Sequence, residues 1–404
     1  MINNWQIKKL SEICVIKPPK NEARNKLGEN ELVSFVPMED LNILSKNLNL
    51  KKERKLKSVS GSYTYFADGD VLLAKITPCF ENGKLGIARN LKNGVGFGSS
   101  EYIIFRPHKD LISEYLFYFL SNDDFRKEGR KQMSGAVGHK RISKEFIENY
   151  EIPVPSISEQ KRVVIILDEV SEKITKAKEN TEKNLQNSKD LFESYLQSVF
   201  INYGESWKKR KLGDICGFVR GPFGGSLRKD IFKSEGYAVY EQQHAIYNQF
   251  NKIRYFIDEK KFQEMSRFEL KPKELIMSCS GTMGKIAIAP ENIKRGIINQ
   301  ALLKFNPNKD LLNLFLSYWI KSRVFQDSLK SYSKGAAIKN VVSVKILKEI
   351  TMFVPPLSEQ KSIVAKLDAL YVQTKKLEEV YKKKLENLEE LKKSVLKSAF
   401  AGKL

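Results

Sequence analysis

The sequence predicts an α+β fold: two mixed α/β globules separated by two long antiparallel coiled-coil helices, with a pseudo-twofold internal repeat. The repeat is the first of three observations behind this. Trp5 opens WQIKKLSEIC, ending at Cys14, and Trp207 opens WKKRKLGDIC, ending at Cys216, an offset of 202. Pro107 in IIFRP matches Pro307 in LKFNP, and Gly135 in MSGAVGHKRI matches Gly335 in YSKGAAIKNV, both at an offset of 200. VPSISEQKRVV and VPPLSEQKSIV set Ser158 against Ser358 and Lys161 against Lys361. Four matches in the same order mark one unit written twice, although the halves diverge between these landmarks. The other two observations are glycine-punctuated β-type runs early in each half and a long uninterrupted stretch at the end of each.

The first half begins with the β-type runs DVLLAKITP, KLGIA and EYIIFRP, and the second has ELIMSCSG, GKIAIAP and ALLKFNP in the same order. Helical patches follow, SEYLFYFLSNDDFRKEG and LLNLFLSYWIKSRVFQDSL. Residues 158–200 and 358–400 then each run for 43 residues without Pro or Gly, after Pro155 and Pro355-Pro356 and before Gly204 and Gly402. Those flanking residues are helix start and stop signals. At ~1.5 Å rise per residue, each stretch makes a rod of roughly 64 Å. Apolar or small positions recur at steps of three and four, at Leu167, Val170, Ile174, Thr181, Leu185, Phe192, Tyr195 and Val199. The second rod repeats the pattern at Leu367, Leu370, Leu377, Tyr381, Leu388, Leu391 and Val395. Such a stripe is a coiled-coil seam; the alternative is that each rod packs separately on its own globule. The predicted boundaries are a first globule at 1–157, a central helix at 158–202, a second globule at 203–357 and a C-terminal helix at 358–404.

Across 404 residues, 70 Lys and Arg against 48 Asp and Glu give a formal charge of +22, while 41% hydrophobic and 10% aromatic residues are too many for a disordered basic tail. A folded partner of polyanions is expected. Cys14, Cys79, Cys216 and Cys279 lie far apart without a Cys-x-x-Cys pair, and there are only three histidines. This argues against a disulfide framework and a zinc cluster and for a reduced, cytoplasmic location. MINNWQIKKLSEIC lacks a secretory apolar stretch, and the longest apolar-rich run, Leu311 to Ile320, falls short of the ~20 residues that span a bilayer. No membrane partner is expected, and nucleic acid is the better polyanion.

The charge is unevenly spread. The two rods together hold 17 basic and 15 acidic side chains, whereas the rest of the chain holds 53 and 33. The globules are therefore expected to meet phosphate and the near-neutral striped rods to meet protein. Lys382-Lys383-Lys384 is a local exception that reads as a solvated helix face. Phosphate contacts alone are blind to sequence, so base reading needs amides, guanidinium groups and hydroxyls presented on loops. In the first half the candidates are Lys75, Thr77, Glu81, Asn82 and Lys84 in AKITPCFENGK, Ser99 and Ser100 in GFGSSE, and His139, Lys140 and Arg141 in SGAVGHKR. In the second they are Arg220, Ser226, Arg228 and Lys229 in RGPFGGSLRK, Gln242, Gln243 and His244 in YEQQH, Ser280, Thr282 and Lys285 in SGTMGK, and Lys334, Lys339 and Asn340 in SKGAAIKN. Each taken singly also fits an ordinary turn residue.

Catalytic signatures are missing. GPFGGS and SGTMGK lack the G-x-x-x-x-G-K-[ST] spacing of a phosphate-gripping loop, and SGTMGK is as easily a hairpin turn. No Asn-Pro-Pro-Tyr-like tetrapeptide of an amino-methyltransferase occurs, the histidines form no helical metal pair, and Asp258-Glu-Lys260 is a triplet common on protein surfaces. Cys14 and Cys216 read as buried thiols. Neither a catalytic residue nor a metal site is expected on this chain.

The chain resembles, over essentially its whole length, the DNA-specificity subunit of type I restriction-modification systems. The resemblance rests on the Trp-containing openings, GDVLLAKITPCFENGK with GFGSSEYIIFRP, ELIMSCSGTMGKIAIAP, and the twin P-x-SEQK entries to the helices; RGPFGGSLRK and YEQQHAIY are similar to recognition-domain segments as well. It implies a non-enzymatic subunit with two target-recognition domains, each reading half of a bipartite target on double-stranded DNA. The helices would set the spacing between the halves and dock two modification methyltransferase subunits. Restriction motor-nuclease subunits would join that complex, and S-adenosylmethionine would sit on the methyltransferases, with no cofactor on this chain. Because the globules diverge, the two half-sites are expected to differ. Any tail with which longer relatives close a ring is expected to be absent after AGKL or supplied by the start of the chain. The competing readings are a sequence-independent DNA-binding scaffold and a single-chain nuclease or methyltransferase.

Overall fold

The computed structural model describes residues 5–136, 138–333 and 344–404. Its contacts gather into two units, Met1–Glu182 with Lys383–Leu404 and Lys183–Lys382, so that the division falls inside both long helices.

In the first unit the apolar runs form a four-stranded antiparallel sheet in the order Cys14–Ile16, Tyr102–Pro107, Val71–Ala74, Leu85–Ile87. Alternation along a strand sends neighbours to opposite faces. Val71, Leu73, Leu85 and Phe105 accordingly enter one core with the helix Ser113–Leu120, while Leu72, Ala74 and Ile104 enter another with Val36, Phe66 and Tyr102. A strand covered on both faces must be apolar throughout, which is why VLLA shows no polar alternation. The second face is covered by a mixed sheet, Lys52–Lys55, Leu32–Val36, Val95–Gly98, Thr64–Ala67, in which Leu32–Val36 runs parallel to Val95–Gly98. That approach needs glycine: a Cβ on Gly98 would lie 2.3 Å from the carbonyl oxygen of Val36.

The second unit repeats the first arrangement with Cys216–Arg220, Leu302–Pro307, Leu275–Ser278 and Ile286–Ile288, backed by the smaller sheet Phe256–Ile257, Tyr237–Tyr240, Gly296–Ile298. Each globule also has a two-stranded ribbon leading to its long helix, Gln6–Lys9 with Glu151–Val154 in one and Lys208–Lys211 with Thr351–Val354 in the other. The predicted helical patches are each broken in two, at Ser121-Asn122 and at Ser322. The Asn122 side chain accepts from the Asp124 amide and restarts the first, as an N-cap does.

The long helices run Ile157–Ile201 and Leu357–Phe400. The SEQK entries are explained by their glutamines. Gln160 is fully buried; its amide donates to the carbonyls of Asp110 and Pro155 and accepts from the Ile112 amide. Gln360 makes the same three bonds with Asp310, Pro355 and Leu312. A glutamine with both ends of its amide used ties the helix start to the loop before the helical patch.

Within the first unit the start of the first helix lies antiparallel to the end of the second: Arg162 donates to the Leu404 carbonyl and Lys178 pairs with Glu389 at 2.8 Å. Leu396, Ala399 and Phe400 enter the core of the first globule, with Phe400 edge-on to Tyr115 and Phe119. Within the second unit the partners change over, and Leu196 and Phe200 share a core with Val364, Leu367 and Phe315. The burial stripe of the second helix steps by four and three from Gln360 through Val364, Leu367, Leu370, Thr374, Glu378, Tyr381, Leu385, Leu388, Lys392 and Val395 to Ala399. Leu377 and Leu391, expected on the seam, are instead 40% and 49% exposed. They sit one residue out of phase, and a 3.5-residue period leaves such positions on the flank even when they are apolar.

Candidate nucleic-acid interface

The corresponding ends of the two larger sheets carry most of the candidate loops. In the first globule, strand pairing aligns Ala74 with Tyr102 and Leu73 with Leu85, so Lys75–Lys84, Ser99–Glu101 and Lys17 leave the sheet at the same end. The Lys75 amide donates to the Glu101 carbonyl and the Lys75 ammonium to the Ser100 carbonyl. The Thr77 amide donates to Lys140, whose own amide returns a bond to the Thr77 hydroxyl, and Ile76 bridges to Arg141. Lys75, Thr77, Ser99, Ser100, His139, Lys140 and Arg141 are thereby brought together. Ser100, His139, Lys140 and Arg141 are exposed, and Ser99 caps its turn by accepting from the Glu101 amide. Glu81, Asn82 and Lys84 belong to the adjoining turn; Asn82 is exposed, Glu81 pairs with Arg130 at 2.9 Å, and Lys84 donates to the Met38 carbonyl.

Beside this cluster lies a cleft of about 420 Å³ lined by Lys17, Lys20, Lys75, Arg141 and Lys144 together with Ser62, Ser100, Tyr63, Tyr65 and Tyr102. Five cations around one aromatic-walled cleft form a local positive field. Lys20 shows it: partial desolvation, followed by the charges of Lys17 and Arg24, holds its ammonium below the ordinary lysine value. Glu101 is the counterweight, its carboxyl held below the usual range by the Arg141 hydrogen bond, with Lys75, Arg141 and His139 adding their charge. Sequence reasoning missed Lys17, Lys20, Tyr63, Tyr65 and Lys144. Lys17-Pro-Pro-Lys20 directly after the CVI strand was the available signal.

In the second globule, pairing aligns Arg220 with Leu303, Ser278 with Leu302 and Met277 with Ile286, placing Arg220, the Asn299–Ala301 turn and the Ser280–Lys285 turn at one sheet end. SGTMGK is a hairpin turn: Gly281 and Gly284 have φ of +62° and +75°, and the buried Ser278 hydroxyl donates to the Thr282 carbonyl and accepts from the Lys285 amide. Thr282 and Lys285 are exposed and Ser280 is half-buried. Gly221 packs so tightly on the next turn that a Cβ there would lie 1.9 Å from the Asn299 carbonyl oxygen. Phe223 is 75% exposed beyond it, with the Arg220 guanidinium 5.7 Å from its ring. Ser226, Arg228 and Lys229 continue this exposed loop, Arg228 lying 3.8 Å from Asp230.

Gln242, Gln243 and His244 open the short helix Gln242–Tyr247. Both glutamines are half-buried, and Gln243 donates to Glu241. His244 is fully buried, with Nδ1 bonded to the Glu241 backbone and Nε2 to the Lys252 carbonyl, so its ring fastens the loop and offers no edge outward. Sequence reasoning had grouped it with its exposed-type neighbours because burial is not visible in YEQQH. The same loop instead contributes Asn248, Gln249 and Asn251, which with Asn292 and Lys294 line a cavity of about 570 Å³. Asn and Gln match the donor and acceptor pair of adenine. Lys334, Lys339 and Asn340 lie outside the described residues.

Among the described residues no group of three or more His, Cys, Asp or Glu could hold a metal ion, and no helix is long and apolar enough to cross a membrane. The thiols of Cys14 and Cys216 are both pushed up to about 12 by burial.

Comparison with known proteins agrees with this architecture. The profile of the type I restriction modification DNA specificity domain matches residues 2–185 and again 204–387. The EcoAI specificity subunit of Escherichia coli is 33% identical over 198 residues, covering 49% of this chain and 33% of that protein; the EcoEI specificity subunit of the same species is 39% identical over 161 residues, covering 40% and 26%. The matched stretch thus spans a third or less of the length of either relative. The solved structure of the HsdS subunit from Thermoanaerobacter tengcongensis aligns over 100% of this chain and 98% of its own with a TM-score of 0.70 at 18% identity, a likeness that speaks to the fold alone. With the profile matched once in each repeat, on two globules built to one plan, the chain belongs to the type I restriction modification DNA specificity family.

Proposed function

We propose that this chain is the DNA-recognition subunit of a type I restriction-modification complex. Each globule reads one half of a bipartite, asymmetric target on double-stranded DNA, and the long helices dock two methyltransferase subunits that carry S-adenosylmethionine. Restriction motor-nuclease subunits then join the assembly. The chain contributes recognition and spacing, and its partners contribute chemistry.

The observation that carries this reading is the unlike lining of two equivalent sheet ends. The end of the first sheet carries the Lys17, Lys20, Lys75, Arg141 cleft, and the equivalent end of the second carries Arg220, the exposed Phe223 and the Thr282 and Lys285 side chains of the hairpin turn. Conserved scaffolding under different loops suits two different short sequences, because base edges are told apart by donor and acceptor pattern. Protein docking on the helices is supported by apolar side chains left outside the seam, among them Ile165 at 59% and Val372 at 65% exposure.

The test is to exchange residues 1–157 for those of a relative with a known target and to map methylated adenines genome-wide. One half of the methylated sequence should change while the other stays. Change in both halves, or in neither, would sink the modular reading, and methylation by the purified chain alone would favour the enzyme alternative.

A further inference from the structure

We propose that Arg141 reads a guanine in the half-site of the first globule and that Glu101 is the positioning residue that aims it. This rests on the recognition reading above and adds to it a residue and a base.

The argument begins with the five N–H donors of the guanidinium. Nε donates to Glu101 Oε2 at 2.9 Å, one terminal nitrogen donates to Glu101 Oε1 at 2.8 Å, and the other donates to the His139 carbonyl at 3.2 Å. One N–H is left on each terminal nitrogen. Those two adjacent donors match the two adjacent acceptors, N7 and O6, that guanine shows in the major groove.

The pose is held from both ends. The Arg141 amide donates to the Ser134 carbonyl and its carbonyl accepts from the Ser134 amide, while Glu101 is fixed through the Ser99 hydroxyl and the Lys75 amide. The side chain remains 48% exposed while its carboxylate partner is 22% exposed, so the open fork faces outward from a covered support. Arg106 spends Nε and both terminal nitrogens on Asp70 and Glu22, and Arg126 donates to the Ser121 carbonyl and Asp123; Arg162 is gripped by Glu159 much as Arg141 is by Glu101, but it stands on the long helix and is not part of the cleft lining.

Charge decides between base and backbone. A phosphate at Arg141 would meet the Glu101 carboxylate alongside it, and like charges at that range repel. A neutral base edge carrying two acceptors meets no such opposition. Lys17, Lys20 and Lys144 remain in the same cleft for the phosphates.

The test uses the complete modification complex in cells, with methylated sites mapped genome-wide for Arg141→Lys, Arg141→Ala and Glu101→Gln. Arg141→Lys keeps the charge and loses the fork. It should make one guanine of one half-site degenerate, with discrimination there falling on the order of 10-fold and the other half unchanged. Glu101→Gln should relax the same position, because an unaimed arginine still fits but no longer insists. Uniformly weaker methylation of an unaltered sequence in Arg141→Lys, or degeneracy at a base other than guanine, overturns the assignment. If Arg141→Ala abolishes methylation, the lysine variant decides by the same criterion. A successful exchange of residues 1–157 together with unaltered stringency in Arg141→Lys refutes this assignment and leaves the recognition reading standing.

Discussion

Buried polar groups show at single residues why the repeated motifs recur. Gln160→Ala would strand the Ile112 amide and the Asp110 and Pro155 carbonyls. At about 1–3 kcal/mol for each buried group left unsatisfied, these three groups should cost the first unit at least about 3 kcal/mol, seen as a lower denaturant midpoint. Gln160→Glu should lose more, since a carboxylate would face two carbonyls. The landmark cysteines make a second prediction. An ordinary thiol ionises near ~8.5, whereas burial pushes Cys14 and Cys216 up to about 12. The folded state therefore holds these protons more tightly. Its stability is undiminished below the unfolded thiol pKa and declines as pH rises from there toward 12. At pH 9, an alkylating reagent should label all four cysteines of the denatured chain and spare Cys14 and Cys216 of the native one.

The long helices owe their place to what covers them. Phe400 lies against Tyr115 and Phe119, far away in sequence, so Phe400→Ala should destabilise the first unit by about 3–5 kcal/mol. Leu377→Ala and Leu391→Ala change exposed side chains and should stay within about 0.5 kcal/mol. Differential scanning calorimetry of the three variants checks both statements, and comparable losses for all three would mean that the seam lies elsewhere. The helices were legible because neither Pro nor Gly interrupts them, and three of the four strands of each larger sheet because Gly and Pro bracket their apolar runs. Leu32–Val36 and Val95–Gly98 were not. Their pairing is parallel and long-range, and a glycine such as Gly98 marks a close approach only once the neighbouring strand is known.

Across the whole molecule, +22 charges concentrated outside the helices should make DNA binding steeply salt-dependent. A complex that neutralises roughly 6–10 phosphates loses roughly 10³–10⁵ in affinity between about 50 and 200 mM salt. Footprints at the higher salt should contract to two protected patches, because base contacts persist where the counterion contribution fades. A featureless footprint at both salts would favour the sequence-independent scaffold. The candidate site was legible in part at this scale. Glycine-flanked polar loops pointed to the Lys75, Ser100 and Arg141 cluster, but Lys17 and Lys20, which help to complete its cleft, come from a segment far away in the chain.

The sequence by itself determined the duplication, the two long helices, three strands of each larger sheet and the uneven charge, since each is written in local order and spacing. Only the tertiary structure decided that Phe400 completes a globule begun at the other end of the chain, that His244 is a buried fastener, and that Glu101 leaves two donors of Arg141 open. Those are matters of which distant groups become neighbours, and burial and hydrogen-bond satisfaction exist only after the chain has folded back on itself.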